Sequence, residues 1–196
     1  SDAKGAIISA IRDDNPVVFV EHRMLYNLEE YVPENSYISE VGRARILRRG
    51  DDITIVGISH MVIESLRAHK HLEAKGISAE IIDPIWLSPL DIDTITTSVK
   101  KTGRLLVVDT AWLNCGASAE IAMQVMERLQ GYKKIRVERA GFAETPCPTT
   151  KSLENLFYPN SSSIAAQAFS MIYPDSETWI PKGEEAEEIK KFKGPF

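Results

Sequence analysis

"RARILRRGDDITIVGIS", residues 43–59, contains two apolar runs of strand length separated by Gly50-Asp51. The second run is short, unbroken and rich in β-branched residues, the pattern of a strand buried on both faces of a sheet. Working downstream, the text alternates. A helical pattern at about 61–75 stops at Gly76, and the strand "SAEIID" follows. A helix from Asp91 to about Lys101, the strand "RLLVVD", a helix from Ser118 to Leu129 and the strand "KIRVER" complete the series. Short apolar strands alternating with helices of about 10–15 residues specify βαβ crossovers. The fold class is therefore α/β, a mainly parallel doubly wound sheet of about five strands, with the two runs of 43–59 read as strands joined at the Gly50-Asp51 turn.

The flanks read differently. After "GFAETPCPTT", whose prolines mark a loop, a short helix near Leu153–Phe157 and another at about 161–171 close the domain. The last stretch, "IPKGEEAEEIKKFKGPF", is a highly charged tail that is expected to be exposed. At the other end Asp2 can cap a helix through about Arg12 with Ala6, Ile7, Ala10 and Ile11 on one face, "DDNP" stops it, and "VVFVE" reads as a strand. The organisation expected is a helix-strand remnant of another domain over 1–21, a linker over 22–42, the main α/β domain over 43–172 and the tail over 173–196.

A formal net charge of −5 excludes a general attraction to nucleic acid. Arg43, Arg45, Arg48 and Arg49 form one local basic run, read as the solvated edge of a strand. No run approaches the ~20 apolar residues that span a bilayer, so no membrane association is expected and the setting is read as intracellular. Cys115 and Cys147 fit no Cys-x-x-Cys pattern and are read as reduced thiols.

In doubly wound sheets ligands gather beyond the carboxyl ends of the strands. Here those ends carry His60, Asp83 and Asp109, a base and two acids that a free-standing domain could use for a small ligand or for hydrolysis. The competing reading is that such ends are polar because chain-reversing loops need side chains that satisfy backbone groups. His69 and His71, two apart on one helix, point to different faces and make no metal pair. "NCGASAE", 114–120, sets Gly116 before a helix N-terminus, a place for an anion or simply a turn with Ser118 as cap. Trp86 and Trp112 each follow a strand, where they can stack on a ring or cover the end of the core. No activated nucleophile, metal cluster or pair of carboxylates at catalytic spacing is legible.

The wording of the chain carries more than its spacing. "DAKGAIISAIRDDNPVVFVEH" resembles the closing helix and strand of the pyrimidine-binding domain in β-subunits of thiamine-diphosphate-dependent 2-oxo acid dehydrogenases of the pyruvate, branched-chain and acetoin type. "VGRARILRRGDDITIVGISHMV", "GISAEIIDPIWLSPLDIDTI", "SVKKTGRLLVVD", "CGASAEI" and "TPCPTTKSLENLFYP" resemble that subunit's transketolase C-terminal domain. The chain departs from the family at Asp83-Pro84-Ile85, where members read Asp-Leu-Arg, and at Asp109-Thr110-Ala111, where they carry an acidic pair and Gly.

The resemblance implies that the chain starts at the end of a domain whose larger part precedes it. It further implies that the groups that activate thiamine diphosphate lie in that part, and that the diphosphate and its Mg are held by the α-subunit. By this resemblance the fragment carries no catalytic or cofactor-binding residue and is inactive alone. Its expected partners are a second copy in a homodimer, the α-subunit and the lipoyl acyltransferase component. The expected location is the cytoplasm, or the mitochondrial matrix in a eukaryote. Some members hold K at the turn after the first helix; carried over, its ligands are main-chain oxygens of Ala10, Ile11, Asp13 and Asn15.

Overall fold

The protein is described by a computed structural model covering residues 1–26, 28–132 and 134–182. Its centre is β2 (Ile53–Gly57), buried along its whole length as the apolar run requires. β3 (Ala79–Asp83) and β4 (Arg104–Val108) flank it in parallel, β5 (Arg136–Ala140) extends the β4 side, and β1 (Arg45–Arg48) closes the β3 side antiparallel. The order is β1-β3-β2-β4-β5, the five-stranded, mainly parallel sheet expected.

β1 and β2 are joined through Gly50-Asp51 as expected, but they are not neighbours in the sheet, because β3 lies between them. The connection crosses the start of β3, where Asp52 N–H donates to Ser78 O at 2.9 Å and Ser78 N–H donates to the Asp52 carboxylate at 2.7 Å. Gly50 makes the crossing possible, since a Cβ there would lie 2.3 Å from the Ala79 carbonyl carbon.

Helices cover both faces. On one side α2 (Met61–Glu73) and α6 (Ser161–Ile172) pack over Ile53, Ile55, Ile81, Leu106 and Val108. On the other α3 (Ile92–Thr102) and α4 (Ala117–Arg128) pack over Val56, Ile82, Leu105 and Val107. The alternation of these positions along each strand is the period of 2 that sends successive side chains to opposite faces. α3 begins at Asp91, whose carboxylate accepts the Thr94 N–H at 3.1 Å, and ends at Gly103, left-handed at φ 68°. A short helix, α5 (Lys151–Phe157), precedes α6.

The N-terminal helix α1 (Asp2–Arg12) forms as expected, but "VVFVE" does not become a strand. A strand needs a partner for its backbone, and no described strand lies beside residues 17–21, so Val18 and Val20 are 89% and 82% exposed. The helix is fastened to residues 30–39 of the linker. Tyr37 donates to Ser1 O at 2.6 Å, Ser9 donates to Ser39 O at 2.7 Å, and Lys4 reaches Pro33 O. An Asp2–Arg45 ion pair at 2.5 Å ties it to β1. Its buried residues are Gly5, Ala6 and Ser9, while Ile7 and Ile11 of the apolar face remain exposed.

Of the charged tail, residues 183–196 lie outside the described residues. Before them Trp179 packs against Phe169 of α6 and under the Lys75 ammonium.

Candidate functional site

Because β2 lies between β3 and β4, the carboxyl edge of the sheet sets His60, Asp83 and Asp109 at the ends of three adjacent strands. The backbone just beyond those strands is strained in the same way three times, with positive φ at Ser59, Ile85 and Cys115. Ile85 is the costliest of these, being β-branched. It is held by its N–H, which donates to the Asp83 carboxylate at 2.9 Å.

The three polar groups are engaged with the chain around them. His60 starts α2, and its ring stacks on His22 of the linker with centroids 5.1 Å apart and planes 14° from parallel. Burial pushes the Asp83 carboxyl up to about 6, against the opposing hydrogen bond from Ile85. Burial raises Asp109 too, opposed in part by the backbone of Thr110. The Asp83 carboxylate thus satisfies the turn that follows its strand. The geometry supplies loop-forming carboxylates with raised pKa.

The turn at Gly116 also differs from an anion cradle. A Cβ on Gly116 would sit 2.4 Å from Trp112 O, so a carbonyl oxygen crowds the start of α4 and opposes a negative ligand. Gly116, not Ser118, is the residue that caps α4, and the buried Ser118 hydroxyl makes no hydrogen bond among the described residues. Trp112 covers the end of the core, edge-on to Phe142 at 6.1 Å and Phe157 at 5.9 Å. Cys115 and Cys147 are free and exposed.

At the turn after α1, Ala10 O accepts the Asp13 N–H at 3.4 Å, and the Asp13 carboxylate accepts both amides of Asn15 at 2.8 and 2.9 Å. These hydrogen bonds hold the Asp13 carboxyl below its ordinary range. The donors expected for potassium are all oxygen and the helix end is negative, which suits a hard cation in kind. Among the described residues no group of three or more His, Cys, Asp or Glu is placed to hold a metal ion.

Sequence reasoning missed two buried carboxylates. Glu80 on β3 is 1% exposed and pairs with Lys101 at 2.8 Å while facing Gly50 N–H at 3.4 Å. Glu64 on α2 is bonded to Arg67 and to the start of α6. A charged residue inside an apolar run, "SAEII", was the available signal for the first. Glu80 lines the floor of a hollow of about 450 Å³ between β1 and α3, where Arg43, Arg49 and Lys101 face Asp91 and Asp93.

With this geometry in view, the chain belongs to the transketolase C-terminal domain family, matched over residues 42–164. It is 45% identical over 167 residues to the β-subunit of acetoin:2,6-dichlorophenolindophenol oxidoreductase from Cupriavidus necator, covering 85% of this chain and 49% of that one. It is 42% identical over 168 residues to the E1 component subunit beta of pyruvate dehydrogenase from Bacillus subtilis, covering 85% and 51%. A solved split-gene transketolase, an inactive β4 tetramer, superposes with a TM-score of 0.64 at 25% identity, covering 74% of this chain and 46% of that one. The chain spans about half the length of the curated relatives it matches. Among the described residues no helix is long and apolar enough to cross a membrane.

Proposed function

We propose that this chain is the C-terminal, subunit-joining part of the β-subunit of a thiamine-diphosphate-dependent dehydrogenase of the pyruvate or acetoin kind. The reaction of such an enzyme is decarboxylation of a 2-oxo acid with transfer of the acyl group to a lipoyl carrier. This part contributes framework and no reacting group. The observation that carries the reading is the uncovered apolar surface of the first 20 residues: Ile11, Val18 and Val20 are 76%, 89% and 82% exposed beside a helix fastened by polar contacts. Contiguous exposed apolar surface of this sort marks an interface.

The carboxyl edge supports the same reading, because its acids are committed to backbone turns. The cofactor and its magnesium are held by groups outside this chain, and the partners are a second copy across a two-fold axis, the α-subunit and the lipoyl acyltransferase component. A cytoplasmic setting goes with the likeness to bacterial β-subunits. At the turn after α1, main-chain oxygens of Ala10, Ile11, Asp13 and Asn15 would hold potassium, which neutralises the helix end and takes no chemical part.

The test is a titration of the 196-residue chain with thiamine diphosphate and magnesium, with pyruvate decarboxylation and acetoin-dependent dye reduction followed in parallel. No binding and no turnover by the chain alone, with dimers by sedimentation that Ile11→Asp and Val18→Asp disturb, is the expected result. Micromolar cofactor affinity, or turnover without an α-subunit, overturns the reading.

A further inference from the structure

Just after residues 17–21 the chain rests on the main domain through two imidazoles. The His22 ring stacks on His60, at the start of α2, with centroids 5.1 Å apart and planes 14° from parallel. His60 is buried and His22 half-buried. The His22 ring makes a second contact. Its Nδ1 accepts the Met24 N–H at 3.3 Å and so caps a single 3₁₀ turn, Arg23–Leu25. The same turn is closed by Leu25 N–H donating to His22 O at 2.9 Å and Tyr26 N–H donating to Arg23 O at 3.2 Å.

Both contacts depend on the uncharged ring. A nitrogen that accepts a hydrogen bond carries no proton, so His22 holds its one proton on Nε2. A second proton enters at Nδ1, turns the acceptor into a donor and sets it against the Met24 N–H. Charging His60 as well places like charges about 5 Å apart. Imidazole is the side chain whose ordinary pKa allows this change between pH 5 and 8. The charged groups on the elements that meet here are Glu21 and Arg23 on the linker, Glu64 on α2, and Asp83 and Asp109 at the ends of the neighbouring strands. Glu21 accepts from Tyr26 at 3.2 Å, Glu64 is engaged by Arg67 and Ser161, and burial raises both aspartates.

The geometry points to a pH-operated latch: the His22–His60 stack seats the turn 22–26 on the main domain at neutral pH and releases it in mild acid, when His22 Nδ1 takes a proton. The sign follows from burial, which holds seated His22 below its ordinary 6.5. The released form therefore binds the proton more readily, and seating is complete above pH 6.5 and weakens below it. Because His22 directly follows the exposed apolar residues 17–21, release frees the joint between that stretch and the domain. The latch belongs to this chain's own linker and holds whichever partner covers that stretch.

The test follows amide hydrogen exchange at Met24, Leu25 and Tyr26 in the full chain at pH 7.5 and pH 5, each corrected for the intrinsic rate, with ring-nitrogen NMR of the histidines alongside. Protection is expected to fall at least about fourfold in acid, the factor that two like charges at this spacing give even at the dielectric constant of water. His22 is expected to titrate below 6.5, and His60→Gln, which removes the stacked ring, to raise that midpoint. His22→Asn keeps an acceptor for the Met24 N–H and cannot charge, so its protection is expected to be equal at both pH values. Equal protection of the parent at pH 5 and 7.5, a fall in His22→Asn as large as the parent's, or a His22 midpoint at or above 6.5 overturns the proposal.

Discussion

The Glu64 carboxylate on α2 accepts the backbone N–H of Ser161 at 2.7 Å, ninety-seven residues away, and so caps the start of α6 from another helix. The first turn of a helix leaves N–H groups without internal partners, and this one is buried, out of reach of water. Its second oxygen holds Arg67 at 2.5 Å. Glu64→Ala leaves a buried backbone donor without its acceptor and removes the ion pair to Arg67, and is expected to cost about 2–3 kcal/mol. For a chain of this size that lowers the melting temperature by roughly 4–12 °C. Glu64→Gln, which keeps an acceptor for Ser161, is expected to cost about half as much. Thermal unfolding followed by circular dichroism checks both.

Asp83 makes stability depend on pH in an unusual direction for a carboxylate. Burial raises its pKa to about 6 in the fold, above the ordinary 3.8, so between these values the folded state binds more protons than the unfolded chain. Stability from this group is therefore complete below about pH 4 and falls as pH rises through 6. A rise of that size corresponds to an effect on the order of 3 kcal/mol. Asp13, Glu30, Glu80 and Asp91, all held below their ordinary values, act in the opposite sense and lose stability in acid. The contribution of Asp83 is thus the difference between the parent and Asp83→Asn. That variant is expected to gain relative stability from pH 5 to pH 8 in urea titrations, with no gain near pH 4.

The strands and helices are legible in the sequence because each follows a local rule. β2 is a continuous β-branched run, α3 opens on Asp91 and closes on Gly103, and Gly76 at φ 73° sits where the helical pattern of α2 stops. What is hidden needs contacts between distant residues. Nothing local tells that β1 skips past β3, since the turn at Gly50 reads like any hairpin turn; only the close approach to Ala79 forbids it. "VVFVE" has strand propensity that is not realised, because propensity does not supply a neighbouring strand. The carboxyl-edge residues are legible too, but their commitment to Ile85 and Thr110 depends on backbone turns that sequence does not specify.

The turn after α1 separates two accounts of the same residues. If potassium sits on the main-chain oxygens there, the amides of residues 11–15 are better protected from hydrogen exchange in potassium chloride than in tetramethylammonium chloride at equal ionic strength. If the Asp13–Asn15 hydrogen bonds close the turn unaided, exchange is the same in both salts. Potassium-dependent protection is the expected outcome. Asp13→Ala removes the side-chain bonds and is expected to speed exchange at Asn15 in either salt.

Arg104 joins three segments at the opposite end of the sheet. From the first position of β4 its Nε donates to Met171 O in the last turn of α6 at 3.2 Å, and one terminal nitrogen donates to Asp52 O at 3.1 Å and to Thr102 O at 3.4 Å. A helix C-terminus carries unpaired carbonyls and partial negative charge, so a planar cation there satisfies orphan acceptors and complements the dipole together. Lysine carries the charge without the fork. Arg104→Lys is therefore expected to lose about 1–2 kcal/mol and Arg104→Leu about 2–3 kcal/mol. Arg136, which reaches the same carbonyl only at 3.4 Å and is more exposed, bounds the effect: Arg136→Gln is expected to cost less than about 1 kcal/mol. In urea titrations these losses appear as lower midpoints at unchanged slope, because the surface exposed on unfolding is the same. A midpoint for Arg104→Lys equal to the parent's, with Arg104→Leu reduced, would show that the long side chain matters here for its packing and charge and that the fork contributes nothing.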